Sequence, residues 1–312
     1  MNRAEFLLAA AATPLALRKP PPGLALVTAD TESRVAVVDL DLGIVRSHIA
    51  TRPGPRSIER VGESAVVAHS VLGELTLIDN RTLQIRHVLT GLGEPRYTAG
   101  TADGRHAFVT DSGHTDLVTV DMLHGRIVGR LKLTQWPRHL SLSRDGRTLW
   151  VGLGTAAQEL AVVDVSNPLR PQLRGHVRPP FLLHDVALTP DGRRAWVTAG
   201  ASSQVAVFDV RTARVLRILP SDPGPQHVSF TAGRAFVTSG DAGTLRIYDE
   251  QSLQLLESTE LPVGSYNVQF AGRRVLSPSL NAGTLCVVDR RGVVQQRVHV
   301  AASSHDACLA HA

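Results

Sequence analysis

The stretch His184–Leu219, HDVALTPDGRRAWVTAGASSQVAVFDVRTARVLRIL, decides the fold. It breaks into four short runs rich in Val, Leu and Ala. His184–Leu188 reads as a first strand, and Thr189-Pro190-Asp191-Gly192 as a tight turn in which Gly supplies a positive φ. Ala195–Thr198 is a second strand, Gly200–Ser203 a loop, Val205–Asp209 a third strand and Arg214–Leu219 an outer fourth. Strands of this length, with turn signals every 8–12 residues, predict an antiparallel four-stranded unit.

The unit recurs along the chain. An apolar pair followed by Asp appears seven times: Val37-Val38-Asp39, Leu77-Ile78-Asp79, Thr119-Val120-Asp121, Val162-Val163-Asp164, Val207-Phe208-Asp209, Ile247-Tyr248-Asp249 and Val287-Val288-Asp289. Successive Asp residues stand 40, 42, 43, 45, 40 and 40 positions apart. A second strand precedes each: Leu24–Thr28, Ala65–Ala68, Ala107–Thr110, Leu149–Gly152, Ala195–Thr198, Ala235–Thr238 and Val275–Pro278. A period of 40–50 residues is the signature of propeller blades, and a β-sandwich would not produce it. The expectation is an all-β, seven-bladed β-propeller with four-stranded antiparallel blades. The repeat Asp residues end third strands before turns, where a carboxylate accepts turn N–H groups.

The chain opens at Leu24 on what is elsewhere a second strand and closes on His305–Leu309, which aligns with the first strands His184–Leu188 and Tyr266–Phe270. The C-terminal strand is therefore expected to pair into the N-terminal blade and close the ring, removing a free edge. Four second strands end Val-Thr, at Val27-Thr28, Val109-Thr110, Val197-Thr198 and Val237-Thr238. From about Leu24 onward the chain resembles the YVTN-repeat family of seven-bladed propellers (WD-repeat-like, surface-layer and quinoprotein-dehydrogenase-like). The resemblance implies a repeat protein of bacterial type.

Residues 1–22 are set apart from the propeller at 23–312. Arg3 followed by the apolar stretch Phe6–Leu17 has the length of a signal-peptide core and is too short for a membrane span. Asn2–Leu7 resembles the start of a twin-arginine export signal, with Ala4 where the second Arg should be. Export to an extracytoplasmic place (periplasmic or secreted) is expected, with a cytoplasmic place as the alternative. No later stretch approaches the length of a span. The formal charge of +5 is carried almost wholly by Arg, with Lys at positions 19 and 132 alone. It forms no run and no basic cluster with aromatics between, which argues against nucleic acid as a partner. A monomer is expected. Cys286 and Cys308 fall in neighbouring blades and read as buried thiols, with a disulfide as the alternative.

First strands of a propeller line its channel and enter from one face, so the entry residues of the seven blades form a ring: Arg56, Arg96, Arg138, His184, Gln226, Tyr266 and His305. The residues after them are Ser57, Tyr97, His139, Asp185, His227, Asn267 and Asp306, with Asp30, His69, Asp111 and His114 expected around the rim. Three guanidinium groups at one opening make a cationic funnel suited to carboxylate or phosphate. Polar groups converging on a concavity are the default binding site. The first reading is a non-catalytic propeller that binds a small anionic or polar ligand, or a protein partner, at this mouth, with no cofactor. Equally open is that these residues are polar because the mouth is wet.

The alternative is a metal-dependent lactonase- or lyase-type enzyme, with a divalent metal at His184, Asp185, His305 and Asp306. His139 and His227 are further histidines a convergence would use, although no local ligand spacing supports it. The oxygen donors Asp185, Asp306, Asn267 and Glu59 face three Arg residues, a balance against a hard cation. His305 and His311 stand six residues apart, about 20 Å along a strand. No covalent-haem motif, P-loop or nucleophile elbow appears.

Overall fold

Alternating small and large apolar residues on strands buried on both faces build seven sheets that pack face to face. The computed structural model describes residues 23–154 and 158–311; the expected export segment lies outside them. The described residues form 28 strands, β1 to β28 in chain order, in seven antiparallel sheets of four. Blade 1 joins β28 (Ala307–His311) to β1 (Leu24–Ala29), β2 (Arg34–Asp39) and β3 (Ile44–Ala50). Each of the other six blades is four consecutive strands. The fold is a seven-bladed β-propeller. No helix in the described residues is long and apolar enough to cross a membrane.

The core lies between blades rather than within them. Ala195 and Val197 point to blade 4, against Trp150 and Leu160, whereas Trp196, one residue away, packs with Val205, Val228 and Tyr248 towards blade 6. This is the period of two expected of strands with two buried faces. Outer strands alternate in exposure or face solvent, as β3 does. The ring closes as expected: Ala25, Leu26 and Val27 of β1 pair with Leu309, Cys308 and Ala307. The closing strand starts two residues later than the sequence suggested. Cys286 and Cys308 are free and buried.

All seven repeat Asp residues accept turn N–H groups. Asp39 Oδ1 takes those of Asp41 and Leu42 at 2.8 and 2.9 Å, and Asp79, Asp121, Asp164, Asp209, Asp249 and Asp289 do the same in their turns.

The inner strands set the site. They begin at β4 (Ile58–Val61), β8 (Pro95–Gly100), β12 (Pro137–Leu142), β16 (Leu183–Leu188), β20 (Pro225–Thr231), β24 (Gln269–Ala271) and β28. In β8, β12, β16 and β20 the register slips by one residue near the mouth, bypassing Arg96-Tyr97, Arg138-His139, His184-Asp185 and Gln226-His227. Such a bulge breaks strict alternation and re-aims side chains.

The threonine of each Val-Thr pair repairs the ladder around these slips. Thr198 Oγ1 accepts the N–H of Asp185 at 3.0 Å and donates to the carbonyl of Gln226 in the next blade at 2.7 Å. Thr28 serves Asp306 and Arg56, Thr110 serves Tyr97 and Arg138, and Thr238 serves His227 and Tyr266. Where blade 4 has Gly152, an added Cβ would stand 2.8 Å from Leu183 Cδ1 of blade 5, so Thr there would require the Leu183 side chain to shift.

Candidate functional site

The channel mouth is built by successive blades. Arg56, Arg96 and Arg138 come from blades 2, 3 and 4, close enough that the other two charges lower the pKa of Arg96, after burial, the main cause. Arg96 donates to Glu94 of its own blade. Neither Arg56 nor Arg138 has an ion pair among the described residues. His305, on blade 1, is 7 % exposed and its Nδ1 has no partner. Burial, then the charges of Arg56, His227, Arg138 and Arg96, push its pKa down to about 3, so the ring is neutral. The Tyr266 hydroxyl donates to Asp241 at 2.9 Å. Gln226 Oε1 has no partner.

An aromatic layer joins blades 3 to 6. Ring centroids lie 4.0 Å apart for Tyr97 and His139, 4.7 Å for His139 with both His184 and His227, and 5.8 Å for His184 with His227. One ligand atom from each of His139, His184 and His227 falls within 4.8 Å of the others. His139 is 2 % exposed and neither ring nitrogen has a well-formed hydrogen bond. Burial first, then the charges of its neighbours, holds His139 and His184 well below the ordinary imidazole pKa.

Next to this layer, between the inner strands, is a cavity of about 320 Å³ whose lining includes Glu59, Asp185, Asp306 and Gln269. The carboxylates here are largely spoken for. Asp185 accepts the N–H of Val186 at 2.7 Å and of Val228, one blade on, at 3.1 Å. Asp306 does the same for Ala307 and Ile58, at 2.8 and 3.1 Å. Ser57 and Asn267 donate to the carbonyls of Arg96 and His305 in the following blades. Burial and the Asp306 charge raise Glu59 to about 8, and burial raises Asp306 to about 6.

Of the expected entry ring, none of the members lines the cavity; the residues that follow them do. Of the four residues read as metal ligands, His184 joins a cluster with His139 and His227, while His305 and Asp306 stand outside it. Asp185 Oδ2 lies 3.5 Å from His227 Nδ1. Two of the four rim residues are a correction: His69 and Asp111 are fully buried, bonded to Pro53, Thr76, Gly93, Glu94 and His114, whereas Asp30 is half-buried and His114 exposed. The three-histidine cluster carries no local spacing. Its signal is the succession of Arg138-His139, His184-Asp185 and Gln226-His227 at matching positions of three consecutive repeats.

With this geometry in hand, comparison with known proteins adds the fold and little more. No family model matches the chain. Two uncharacterised proteins of Staphylococcus epidermidis are 27% identical over 146 residues, a stretch covering 42% of this chain and 42% of theirs. The match therefore spans well under half the length of these curated relatives. A protein of unknown function from Desulfotomaculum acetoxidans superposes with a TM-score of 0.81 over 93% of this chain and 99% of its own, at 12% identity. Kuenenia stuttgartiensis hydrazine synthase gives 0.68 over 84% of this chain and 91% of that one, at 16% identity. Likeness at such identities carries the β-propeller fold and no activity.

Proposed function

We propose that the protein is a non-catalytic binding propeller of the YVTN type, whose channel mouth takes a small anionic ligand. Arg56, Arg96 and Arg138 supply the charge, and His184, Gln226, Tyr266 and His305 the remaining polar contacts. The observation that carries this reading is the set of three guanidinium groups on successive blades, of which only Arg96 is ion-paired among the described residues. Paired arginines would have served as ties between blades; unpaired ones keep their field for a ligand. The unpartnered Nδ1 of buried His305 supports the same reading, since a buried polar atom without a partner costs free energy that a ligand would recover.

A metal-dependent lactonase- or lyase-type reaction is the second reading, favoured by the cavity that Asp185 and Asp306 line. Both carboxylates spend both oxygens on backbone N–H groups, so the binding reading stands first.

Calorimetric titration of the full chain with inorganic phosphate and with citrate tests it. Saturable binding of at least one anion is expected, weakened ten-fold or more in the Arg56→Gln/Arg138→Gln double variant, on the order of the 1.4 kcal/mol that one decade represents. Binding should also fall as salt rises. Absence of binding, or binding indifferent to the double substitution, overturns the proposal.

A further inference from the structure

We propose that His139, His184 and His227 form a binding site for a divalent first-row transition-metal ion of the zinc class, with at least one coordination position left open to the channel. The inference goes beyond the anion-binding reading and stands without it.

Four observations converge. The three imidazoles come from successive inner strands, β12, β16 and β20, with one donor atom of each within 4.8 Å of the others. A zinc–nitrogen distance of about 2.1 Å implies donors about 3.4 Å apart in a tetrahedral site, so the rings must draw in. His184 and His227 are only part-buried and have room to turn. His139, by contrast, is 2 % exposed with no well-formed hydrogen bond at either ring nitrogen, only an approach to the His184 backbone, an expense that a metal bond removes. Its position is held by Tyr97, whose ring centroid lies 4.0 Å away.

A carboxylate also stands behind the cluster: Asp185 Oδ2, fixed by the N–H of Val228, lies 3.5 Å from His227 Nδ1, within ion-pair range and needing only a small ring rotation to bond it. A carboxylate on one ring nitrogen orients the imidazole and raises the basicity of the other, the usual support of a metal-bound histidine.

The donor set states the metal class. Three imidazoles with no thiolate and no coordinating carboxylate suit zinc, copper, nickel or cobalt, and not calcium or magnesium. Three protein donors rather than four leave an open position, as in reactive rather than structural zinc sites. The cationic arc of Arg56, Arg96 and Arg138 disfavours a bare dication and favours an anion as the fourth ligand.

The test uses the full chain stripped with a chelator and titrated with Co2+, read by visible absorption, then with Zn2+ in competition. One Co2+ per chain is expected, displaced by Zn2+. His184→Gln and His227→Gln should each weaken binding at least 100-fold, Asp185→Asn by 10–100-fold, and surface His48→Gln not at all. The first two substitutions alter part-exposed side chains, and circular dichroism checks that the fold survives. Absence of stoichiometric Co2+ binding overturns the proposal, as does binding unaffected by His184→Gln and His227→Gln. The Arg56→Gln/Arg138→Gln variant separates this proposal from the anion reading: it should lose phosphate and still bind Co2+.

Discussion

At the scale of the residue, the most consequential group is Glu59. It sits on β4, facing the cavity, with Gln269 donating at 3.2 Å and Asp306 and Cys308 nearby. Its pKa is raised to about 8 in the fold, against 4.5 for the free side chain. Between these values the native state holds a proton that the unfolded chain has released. Stability due to this group therefore falls as pH rises towards 8, by up to about 1.4 kcal/mol per pH unit. Asp306, raised to about 6, titrates with it as a pair. Glu59→Gln keeps the hydrogen-bonding shape and removes the charge. Thermal melts between pH 6.5 and 8 should show wild type losing stability and the variant flat, the variant being the more stable at pH 8. Parallel curves would mean that Glu59 is not protonated in the fold.

At the scale of the element, the Val-Thr pair explains itself once two blades are seen together. The sequence placed Thr28, Thr110, Thr198 and Thr238 at the same phase but contained nothing of what the hydroxyl touches, because both its partners lie on other strands. Thr198 bridges the N–H of Asp185 in its own blade and the carbonyl of Gln226 in the next. Thr198→Val preserves volume and leaves both groups unpaired, at a cost of about 1–3 kcal/mol. The urea midpoint should drop by that free energy divided by the slope, with the slope itself unchanged. No change in the midpoint would mean that water replaces the hydroxyl. The same logic separates what was legible in the site from what was not. Residues at the blade entries could be ranked by phase in the repeat, which is what singled out Arg56, Arg96 and Arg138. The His139–His184–His227 cluster depends on bulges in three inner strands, and a bulge shifts side chains by one position without leaving a mark in composition. His69 and Asp111 had the right phase for the rim, but their own loops buried them.

At the scale of the whole molecule, the ring is a closed cycle of nearest-neighbour contacts, and the sequence fixes the closure because periodic copies leave one strand short at one end and one over at the other. Closure rests on β28. Without it β1 becomes an edge, and Leu26 and Val27, both fully buried, face water along with the blade 7 residues Leu276 and Leu285 that share a core cluster with Ala307. The bridge from Asp306 to Ile58 and the bond from Thr28 to Asp306 go too, so blades 7, 1 and 2 lose their mutual ties at one stroke. Repeat arrays are stabilised mainly by interfaces between neighbours, and an exposed unpaired strand is a template for association. A chain ending at Ser304 should therefore unfold at markedly lower temperature and elute as oligomers in light-scattering chromatography. A synthetic peptide of residues 304–312 should restore part of both, by adding a strand to the open edge. If the shortened chain melts like the full one and stays monodisperse, the ring is held by its other five interfaces, and closure by β28 is dispensable.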